Sequence, residues 1–491
     1  AIRNENGDDD IRVACIGPAG ENRVRIAAVM NSVYHAGARG GPGAVMGSKK
    51  LKAIAARGTK GFEPKDAKKL RDVALEATQA LARDKGAQAL HEFGTAGLVE
   101  AINALHAFPA YNFKTGHSDG IRPLTGQALV EDGYLKRRIG CYGCAISCHR
   151  YSTVDKGPLA GTYTGGPEYE NFGALGVGPG VFETDTVIAA NRLCNTMGLD
   201  TISAGSVIQW AMESYERGVL TKEDTDGLEV KFGRSDVLLE LIDRVAHRQG
   251  KLGNLLAEGV KRAAAKVGRD SWKWAVCNSK GLEQSRVETR SAKSYALAFA
   301  VNPRGPDHLM SQTIAEFGAS PEAIELIEKL TGDKKWATPY ATEYRPEIVR
   351  WHEDCYAITD ALGFCSFATT LAYGVSPKRM AEMFTAVTGF DIDEETIMLA
   401  GRRIVTLERC FNLREGADRK LDDLPYRLMN EPAATGPAKG FMNTPAELNP
   451  MLDKYYSLHE WDVETGRPYR KTVQKLGLSD VAEELKEKLP S

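Results

Sequence analysis

The chain has 491 residues, enough for about three domains and a large buried core. Its 63 Lys and Arg residues nearly balance its 65 Asp and Glu residues, and a formal net charge of -2 excludes an overall basic field for nucleic acid. The longest apolar run, near residues 295–301, is much shorter than the ~18 residues that a membrane helix needs. We therefore expect a soluble protein with neither a nucleic-acid nor a membrane partner.

The predicted elements begin with short strands and continue with helices. Between residue 11 and about residue 58 the apolar residues come in short runs broken by Gly and Pro, which predicts strands and turns, with the first strand at 11–16. Beyond that region helical spacing predicts helices at 70–81, 186–196, 201–217, 237–245, 255–263, 346–362, 377–388, 394–413 and 479–488. The expected fold is mainly α with a small β region at the N-terminus, within the α+β class.

Three of the nine cysteines lie within the eight residues CYGCAISC, as Cys141, Cys144 and Cys148. Thiolates at this spacing fold around one metal centre, either an iron–sulfur cluster or a zinc ion. The odd number of cysteines and this dense group favour metal binding in a reducing, cytoplasmic compartment over disulfide bonds. A fourth ligand has to come from elsewhere, and the spacing does not select among the remaining cysteines, Cys15, Cys194, Cys277, Cys355, Cys365 and Cys410.

Two six-residue stretches, NTMGLD (195–200) and DALGFC (360–365), share a pattern, and each closes a predicted helix. Gly198 and Gly363 suit the left-handed position after the last helical residue, which explains each glycine and the apolar residue that follows it. Asp360 is not explained in this way, because a carboxylate in the last turn faces the negative end of the helix dipole at a cost of about 0.3–1 kcal/mol. A bound ligand with N–H donors would give a reason for this carboxylate.

The stretch RGGPGAVMGSK (39–49) matches neither the P-loop nor the dinucleotide fingerprint. Its glycines let backbone amides approach an anion closely, and Arg39 offers a bidentate guanidinium, so a phosphate-bearing cofactor fits as well as a tight turn between two strands does. Glu168, Glu170 and His308 lie in other Gly-rich loops, where such residues are either solvated or catalytic.

Taken together, these stretches resemble the aldehyde:ferredoxin oxidoreductase family of tungsten enzymes, in family order over nearly the whole chain. The resemblance rests on IGPAGENRVRIAAVMN, ARGGPGAVMGSKKLKAI, CYGCAISC, GPEYENFGALG, CNTMGLDTIS, NPRGPDHLM, DALGFC and ERCFNLREGADRKLDDLP. It implies a tungsten (or molybdenum) ion held by two pyranopterins, a [4Fe-4S] cluster beside one pterin, and room for a Mg2+ ion that bridges the pterin phosphates. Most of the family's N-terminal domain is expected to be missing before residue 11.

The resemblance also assigns site residues and domains. The implied cluster ligands are Cys141, Cys144, Cys148 and Cys365. The implied pterin-binding residues are Arg39, Gly40, Gly41, Gly43, Asn195, Leu199, Asp360 and Phe364, and the implied catalytic residues nearest the tungsten are Glu170 and His308. The expected domains are the remainder of a β-rich pterin-base domain (1–66), a helical domain with three cluster cysteines and the first pterin motif (67–276), and a second helical domain with His308, the second pterin motif and the fourth cysteine (277–491).

The activity that the resemblance implies is oxidation of an aldehyde with water to a carboxylic acid, with Glu170 as general base and His308 as hydrogen-bond donor. Electrons would leave through the cluster to ferredoxin or an iron–sulfur partner subunit, so we expect an oligomer or a complex. Two alternatives stay open: a reductive family member such as a benzoyl-coenzyme A reductase subunit, and a non-catalytic zinc or iron–sulfur interaction protein. The presence of both Glu170 and His308 favours aldehyde chemistry.

Overall fold

The computed structural model describes residues 1–491, and its N-terminal part contains a small antiparallel sheet. The four strands are β1 (Arg12–Ile16), β2 (Val29–Met30), β3 (Ala36–Gly37) and β4 (Ala53–Ala56), in the order β3-β2-β1-β4. β1 is central and pairs with both β2 and β4. The prediction of a first strand at 11–16 is therefore confirmed.

Two short helices, Pro18–Glu21 and Pro42–Ser48, interrupt this region, for which the sequence predicted only strands and turns. They pack directly on each other because glycine faces glycine: a Cβ on Gly47 would overlap the carbonyl oxygen of Gly20. Ile26, expected in a strand, is buried in the irregular segment between these helices. The prediction failed here because helices this short contain too few residues to show a 3.6-residue period.

A second antiparallel sheet lies further along the chain and was not predicted. Its strands are β5 (Leu135–Ile139), β6 (His149–Thr153) and β7 (Tyr163–Gly165), in the order β5-β6-β7. β5 exposes the three basic residues 136–138, so it lacks the alternation of apolar and polar residues that marks a half-buried strand. The stretch CYGCAISC forms the loop between β5 and β6, so one end of this sheet carries three thiols.

The rest of the chain is largely helical. The helices of eight or more residues are Ala67–Arg83, Lys85–Phe93, Thr184–Met197, Thr201–Glu216, Ser235–His247, Val260–Val267, Lys293–Val301, Pro321–Thr331, Arg345–Leu362, Pro377–Thr388, Glu394–Arg414 and Pro445–Leu458. The remaining short helices are Ile2–Asn6, Leu98–Ala104, Gly126–Glu131, Tyr169–Asn171, Gly250–Leu256, Tyr426–Asn430, Arg470–Lys475 and Ser479–Glu484. One predicted helix needs correction: 255–263 spans two helices, because Gly259, with a φ of +81°, separates them.

Buried side chains form several core groups. The largest joins the N-terminal region to helices Thr184–Met197 and Thr201–Glu216, and another packs the cysteine loop against helix Arg345–Leu362. None of the helices combines the length and the apolar composition that crossing a membrane requires. The mainly α fold with a small N-terminal sheet is as predicted, whereas the division into domains at residues 66 and 276 stays a prediction.

Candidate active site and cluster site

A cavity of about 450 Å³ collects residues from distant parts of the chain. Its wall includes both residues proposed as catalytic, Glu170 and His308. Asn195 and Leu199, from the first helix-closing motif, lie on the same wall, and so does Cys148 of the cysteine loop. The candidate catalytic residues therefore share one space with part of the candidate cofactor and cluster residues.

Glu170 and His308 form a pair inside this cavity. The His308 Nδ1 atom lies 3.4 Å from Glu170 Oε1 and 3.0 Å from Ser285 Oγ. Both carboxylate oxygens of Glu170 accept from the backbone N–H of Arg286, at 3.1 and 3.0 Å, which fixes the carboxylate beside the imidazole. The other ring nitrogen of His308, Nε2, has no hydrogen-bond partner in the protein and is available to a bound molecule.

Ser285 contacts the Nδ1 atom of His308 and can act as its hydrogen-bond donor. Its hydroxyl oxygen accepts from the Arg39 guanidinium at 2.9 Å and from the backbone N–H of His308 at 3.3 Å. With both lone pairs engaged, the hydroxyl proton is left to donate to His308 Nδ1. In that arrangement the ring proton sits on Nε2 and faces the cavity, whereas a proton on Nδ1 would face the carboxylates of Glu170 and Asp307, 3.4 and 3.6 Å away.

Arg39 is buried, and its guanidinium is engaged by the protein itself. It pairs with Asp200 at 3.3 Å and with Asp307 at 3.6 Å, and it donates to the carbonyl oxygen of Glu283. Burial alone would lower the pKa of Arg39, but Asp307 and Asp200 outweigh burial and raise that pKa. The guanidinium of Arg39 is thus engaged by the protein while the residue lines the cavity, and its role as a cofactor-binding residue stays a prediction.

The glycine-rich stretch begins a helix, so one of the two alternatives, a tight turn between two strands, is not formed. Gly41, with a φ of +77°, is the N-cap of helix Pro42–Ser48, and a Cβ on Gly43 would lie 2.5 Å from the carbonyl oxygen of Ala28. Close backbone packing thus explains Gly41 and Gly43 without a ligand. Gly40 and Gly41 border an exposed pocket that is separate from the 450 Å³ cavity, and their cofactor role stays a prediction.

The fourth candidate cysteine lies beside the cysteine loop. The pKa of the Cys365 thiol is raised first by burial and further by Cys144 and Cys141, and the pKa of the Cys148 thiol is raised by burial, by Glu168 and by the other three thiols. Such mutual effects act only over short distances. Four thiols from two regions of the chain are the donor set of a [4Fe-4S] cluster, so these residues fit that group.

A buried arginine that the sequence analysis did not identify holds the cysteine loop. Arg150, in β6, donates to the carbonyl oxygen of Cys148 at 3.1 Å, to that of Glu92 at 2.7 Å and to that of His91 at 2.8 Å. Glu92 and His91 belong to the last turn of helix Lys85–Phe93, where carbonyl groups lack partners within the helix. Arg150 therefore joins the loop to the end of this helix.

The two helix-closing motifs have the backbone that was predicted for them. Gly198 and Gly363 are left-handed, with φ values of 72° and 73°. The motifs face different spaces, because Asn195 and Leu199 line the 450 Å³ cavity whereas Asp360 lines a second cavity of about 340 Å³.

The carboxylate of Asp360 accepts no hydrogen bond from the protein, whereas its backbone carbonyl accepts from Gly363. Burial raises the pKa of its carboxyl group, and Arg304 opposes this effect. Asp360 is an exposed residue whose carboxylate water can solvate, and its role in binding a pterin stays a prediction. The Phe364 side chain lies on neither cavity wall and instead packs on the core group beside the cysteine loop.

Sequence reasoning did not select several residues that organise the site. Asp200 and Asp307 stand in stretches that were singled out, NTMGLD and NPRGPDHLM, but nothing in the spacing showed that both pair with Arg39. Ser285 has no sequence signal, because its role depends on two loops that meet only in the fold. Long-range polar contacts of this kind leave no periodic pattern.

Two family models match the chain. Residues 72–478 match aldehyde ferredoxin oxidoreductase, domains 2 and 3, and residues 1–58 match the N-terminal domain of aldehyde ferredoxin oxidoreductase. The tungsten-containing aldehyde ferredoxin oxidoreductase of Pyrococcus abyssi is 37% identical over 485 residues, covering 98% of this chain and 76% of the relative. The corresponding protein of Thermococcus kodakarensis is 37% identical over 483 residues, covering 98% of this chain and 75% of the relative. The chain belongs to the aldehyde ferredoxin oxidoreductase family, a family of oxidoreductases.

Two further proteins are similar to the chain. The aliphatic sulfonate oxidoreductase, WOR-like subunit, of Pyrococcus furiosus is 30% identical over 485 residues, covering 96% of this chain and 71% of the relative. The solved active-site complex BamBC of benzoyl coenzyme A reductase with 1,5-dienoyl-CoA has a TM-score of 0.80 at 24% identity, covering 99% of this chain and 76% of that chain, which shows the same fold. Because residues 1–58 match the family's N-terminal domain, that domain is represented here, which corrects the expectation of its near absence.

Proposed function

We propose that this protein oxidises an aldehyde with water to a carboxylic acid, with release of two electrons and two protons. The observation that carries the proposal is the Glu170–His308 pair, 3.4 Å apart, in a cavity whose wall also contains Cys148. An acid–base pair beside a four-thiol site is what coupled proton and electron release requires. The names of the relatives that are 37% identical support the same chemistry.

The cofactors that we propose are a tungsten (or molybdenum) bis-pyranopterin, with Mg2+ at its phosphates, and one [4Fe-4S] cluster. Asn195 and Leu199 would hold one pterin and Asp360 the other, in the two cavities on whose walls these residues lie. Cys141, Cys144, Cys148 and Cys365 would ligate the cluster. When bound, these groups supply an acceptor for the electron pair and a path for single electrons.

Glu170 is proposed as the general base. Its carboxylate is fixed by the backbone N–H of Arg286 and lies beside His308, so it is positioned to take a proton from the water that attacks the aldehyde carbon. His308 is proposed as the donor to the aldehyde oxygen, where negative charge grows during this attack. Ser285 supports that role because its hydroxyl proton keeps the ring proton on Nε2.

Substitution of Glu170 by Gln tests this assignment. The amide keeps the size of the side chain but cannot accept the proton, so we expect kcat to fall by about 10²–10⁴-fold while iron, tungsten and pterin contents stay normal. Glu131→Gln, on the exposed surface, is the matched control and should retain full activity. Activity near that of the wild type in Glu170→Gln, at equal cofactor content, would remove Glu170 from the mechanism.

The electron acceptor is proposed to be ferredoxin or an iron–sulfur partner subunit. Tyr142, between two cluster cysteines, is fully exposed, so a partner could approach the cluster at this loop. The reductive alternative is not favoured, because the benzoyl coenzyme A reductase complex shares the fold at only 24% identity. In a zinc-bearing interaction protein, the pair of Glu170 and His308 would have no role.

A further inference from the structure

Two histidines to which no role has been assigned lie close to one cysteine sulfur. His149 Nε2 lies 3.1 Å from Cys141 Sγ, and His35 Nε2 lies 3.5 Å from the same sulfur. These three atoms all lie within 4.8 Å of one another. Neither imidazole has a role in the proposed catalysis, although both line the 450 Å³ cavity.

The two rings are held in place by their neighbours. His35 meets His149 edge to face, with ring centroids 4.5 Å apart and an interplanar angle of 87°. Tyr34 stacks on the other ring, His149, at 5.3 Å and 28°. Three aromatic side chains from two segments thus form one packed group, and this packing restricts the rotation of both imidazoles.

The Ser32 hydroxyl contacts His35 Nδ1 in the way that the Ser285 hydroxyl contacts His308 Nδ1. The Ser32 hydroxyl oxygen accepts from the backbone N–H groups of Tyr34 and His35, both at 3.1 Å. Its own proton is then left for His35 Nδ1, which lies 3.3 Å away. The ring proton of His35 consequently sits on Nε2, the nitrogen that faces Cys141.

We propose that His35 and His149 donate N–H···S hydrogen bonds to the Cys141 thiolate and thereby raise the reduction potential of the cluster. The inference rests on the proposed function, in which Cys141 ligates a [4Fe-4S] cluster. A thiolate bound to iron has no proton and acts only as an acceptor, so both imidazoles must be the donors. Hydrogen bonds to cluster sulfurs stabilise the more negative, reduced state.

The position of the two donors links the raised cluster potential to electron transfer. They lie on the wall between the cavity that contains Glu170 and His308 and the sulfur of Cys141. A higher cluster potential favours the arrival of electrons from that cavity. His35 and His149 are thus positioning residues that act through the cysteine ligand.

The test is a redox titration of the cluster, followed by electron paramagnetic resonance, in the holoenzyme and in His35→Leu and His149→Leu. Each change removes one donor, so the reduction potential of the cluster should become more negative. In His149→Leu we expect the ratio of oxidised to reduced cluster to change by about tenfold, which is about 59 mV for one electron. His149→Gln retains an N–H donor and should lie between that variant and the wild type. Tyr34→Phe, which keeps the stacking, is the control and should titrate as the wild type does.

The outcomes separate this inference from the proposed function. Potentials equal to, or higher than, that of the wild type in both leucine variants would overturn the inference while leaving the cluster in place. If His149→Leu loses its iron, His35→Leu decides the question, because its donor is the more distant one. One zinc ion per chain, lost in both variants, would show that the three side chains ligate a single metal and would also overturn the inference. A wild-type chain without iron would instead contradict the proposed function.

Discussion

Ser285 is a residue whose effect on catalysis is expected to pass entirely through another side chain. Without its hydroxyl proton, His308 is free to place its ring proton on Nδ1 and donate to Glu170, 3.4 Å away. We expect Ser285→Ala to lower kcat by about two- to tenfold, which corresponds to the 0.5–1.5 kcal/mol of a typical hydrogen bond, with little change in KM. Ser285→Thr keeps the hydroxyl group and should recover most of the rate. Equal activity of the wild type and the alanine variant would show that the tautomer of His308 does not matter.

The buried carboxyl group of Glu316 is expected to make the stability of the fold depend on pH. Burial raises the pKa of this carboxyl group to about 7, although Arg345 opposes the effect. The folded chain therefore holds a proton that the unfolded chain releases at its ordinary pKa of 4.5, so this group makes the fold less stable as the pH rises from about 4.5 to about 7. The difference corresponds to about 3 kcal/mol at most.

The matched variant for this prediction is Glu316→Gln. Its amide oxygen can still accept from the backbone N–H of Ser294, which makes the shorter of the two bonds to the carboxylate at the start of helix Lys293–Val301. Between pH 5 and pH 8 the wild type should lose more thermal stability than the variant does. Identical changes in Tm in the two proteins would show that Glu316 does not titrate in this range.

At the scale of elements, the cysteine loop depends on Arg150. Its guanidinium satisfies carbonyl groups both in the loop and at the end of helix Lys85–Phe93, and each buried carbonyl left without a donor costs about 1–3 kcal/mol. We expect Arg150→Met to lower Tm and to purify with less iron per chain. Arg137→Met, an exposed neighbour in β5, should behave as the wild type does. Full iron content in Arg150→Met would show that the loop holds its shape without this anchor.

The elements that the sequence predicted well share a physical signal. Helices 377–388 and 394–413 have a regular apolar stripe and clear start signals, since Ser376 and Asp393 accept from the backbone of their first turns. Strand β5 carries no such signal because it is largely exposed, and β6 carries none because the residues that it buries, Arg150 and Ser152, are polar. A periodic pattern of apolar residues arises when one face of an element is buried, so a strand that is exposed on both faces shows no such pattern.

The site could be predicted in part for a similar reason. The spacing of the three clustered cysteines is enough to predict a metal centre. Cys365 lies far along the chain, and only the resemblance to a family selected it from the other cysteines. Its position beside the loop is visible only in the fold, where the thiols influence one another. The ion pairs of Arg39 and the histidines around Cys141 were beyond sequence reasoning, because they join segments that are distant in the chain.

At the scale of the whole molecule, the proposed cluster connects two regions that are otherwise separate in sequence. Cys141, Cys144 and Cys148 come from the β5–β6 loop, whereas Cys365 follows helix Arg345–Leu362, and a shared core group packs these regions together. The 450 Å³ and 340 Å³ cavities lie on this same assembly of segments. We therefore expect that metal binding depends on the packing that brings these two regions together.

Elemental analysis of the anaerobically purified wild-type protein tests this claim most directly. Four converging thiols beside two cavities predict one tungsten or molybdenum atom and about four iron atoms per chain, with the iron lost in Cys365→Ser. A single zinc atom per chain, without tungsten, molybdenum or iron, would contradict the account.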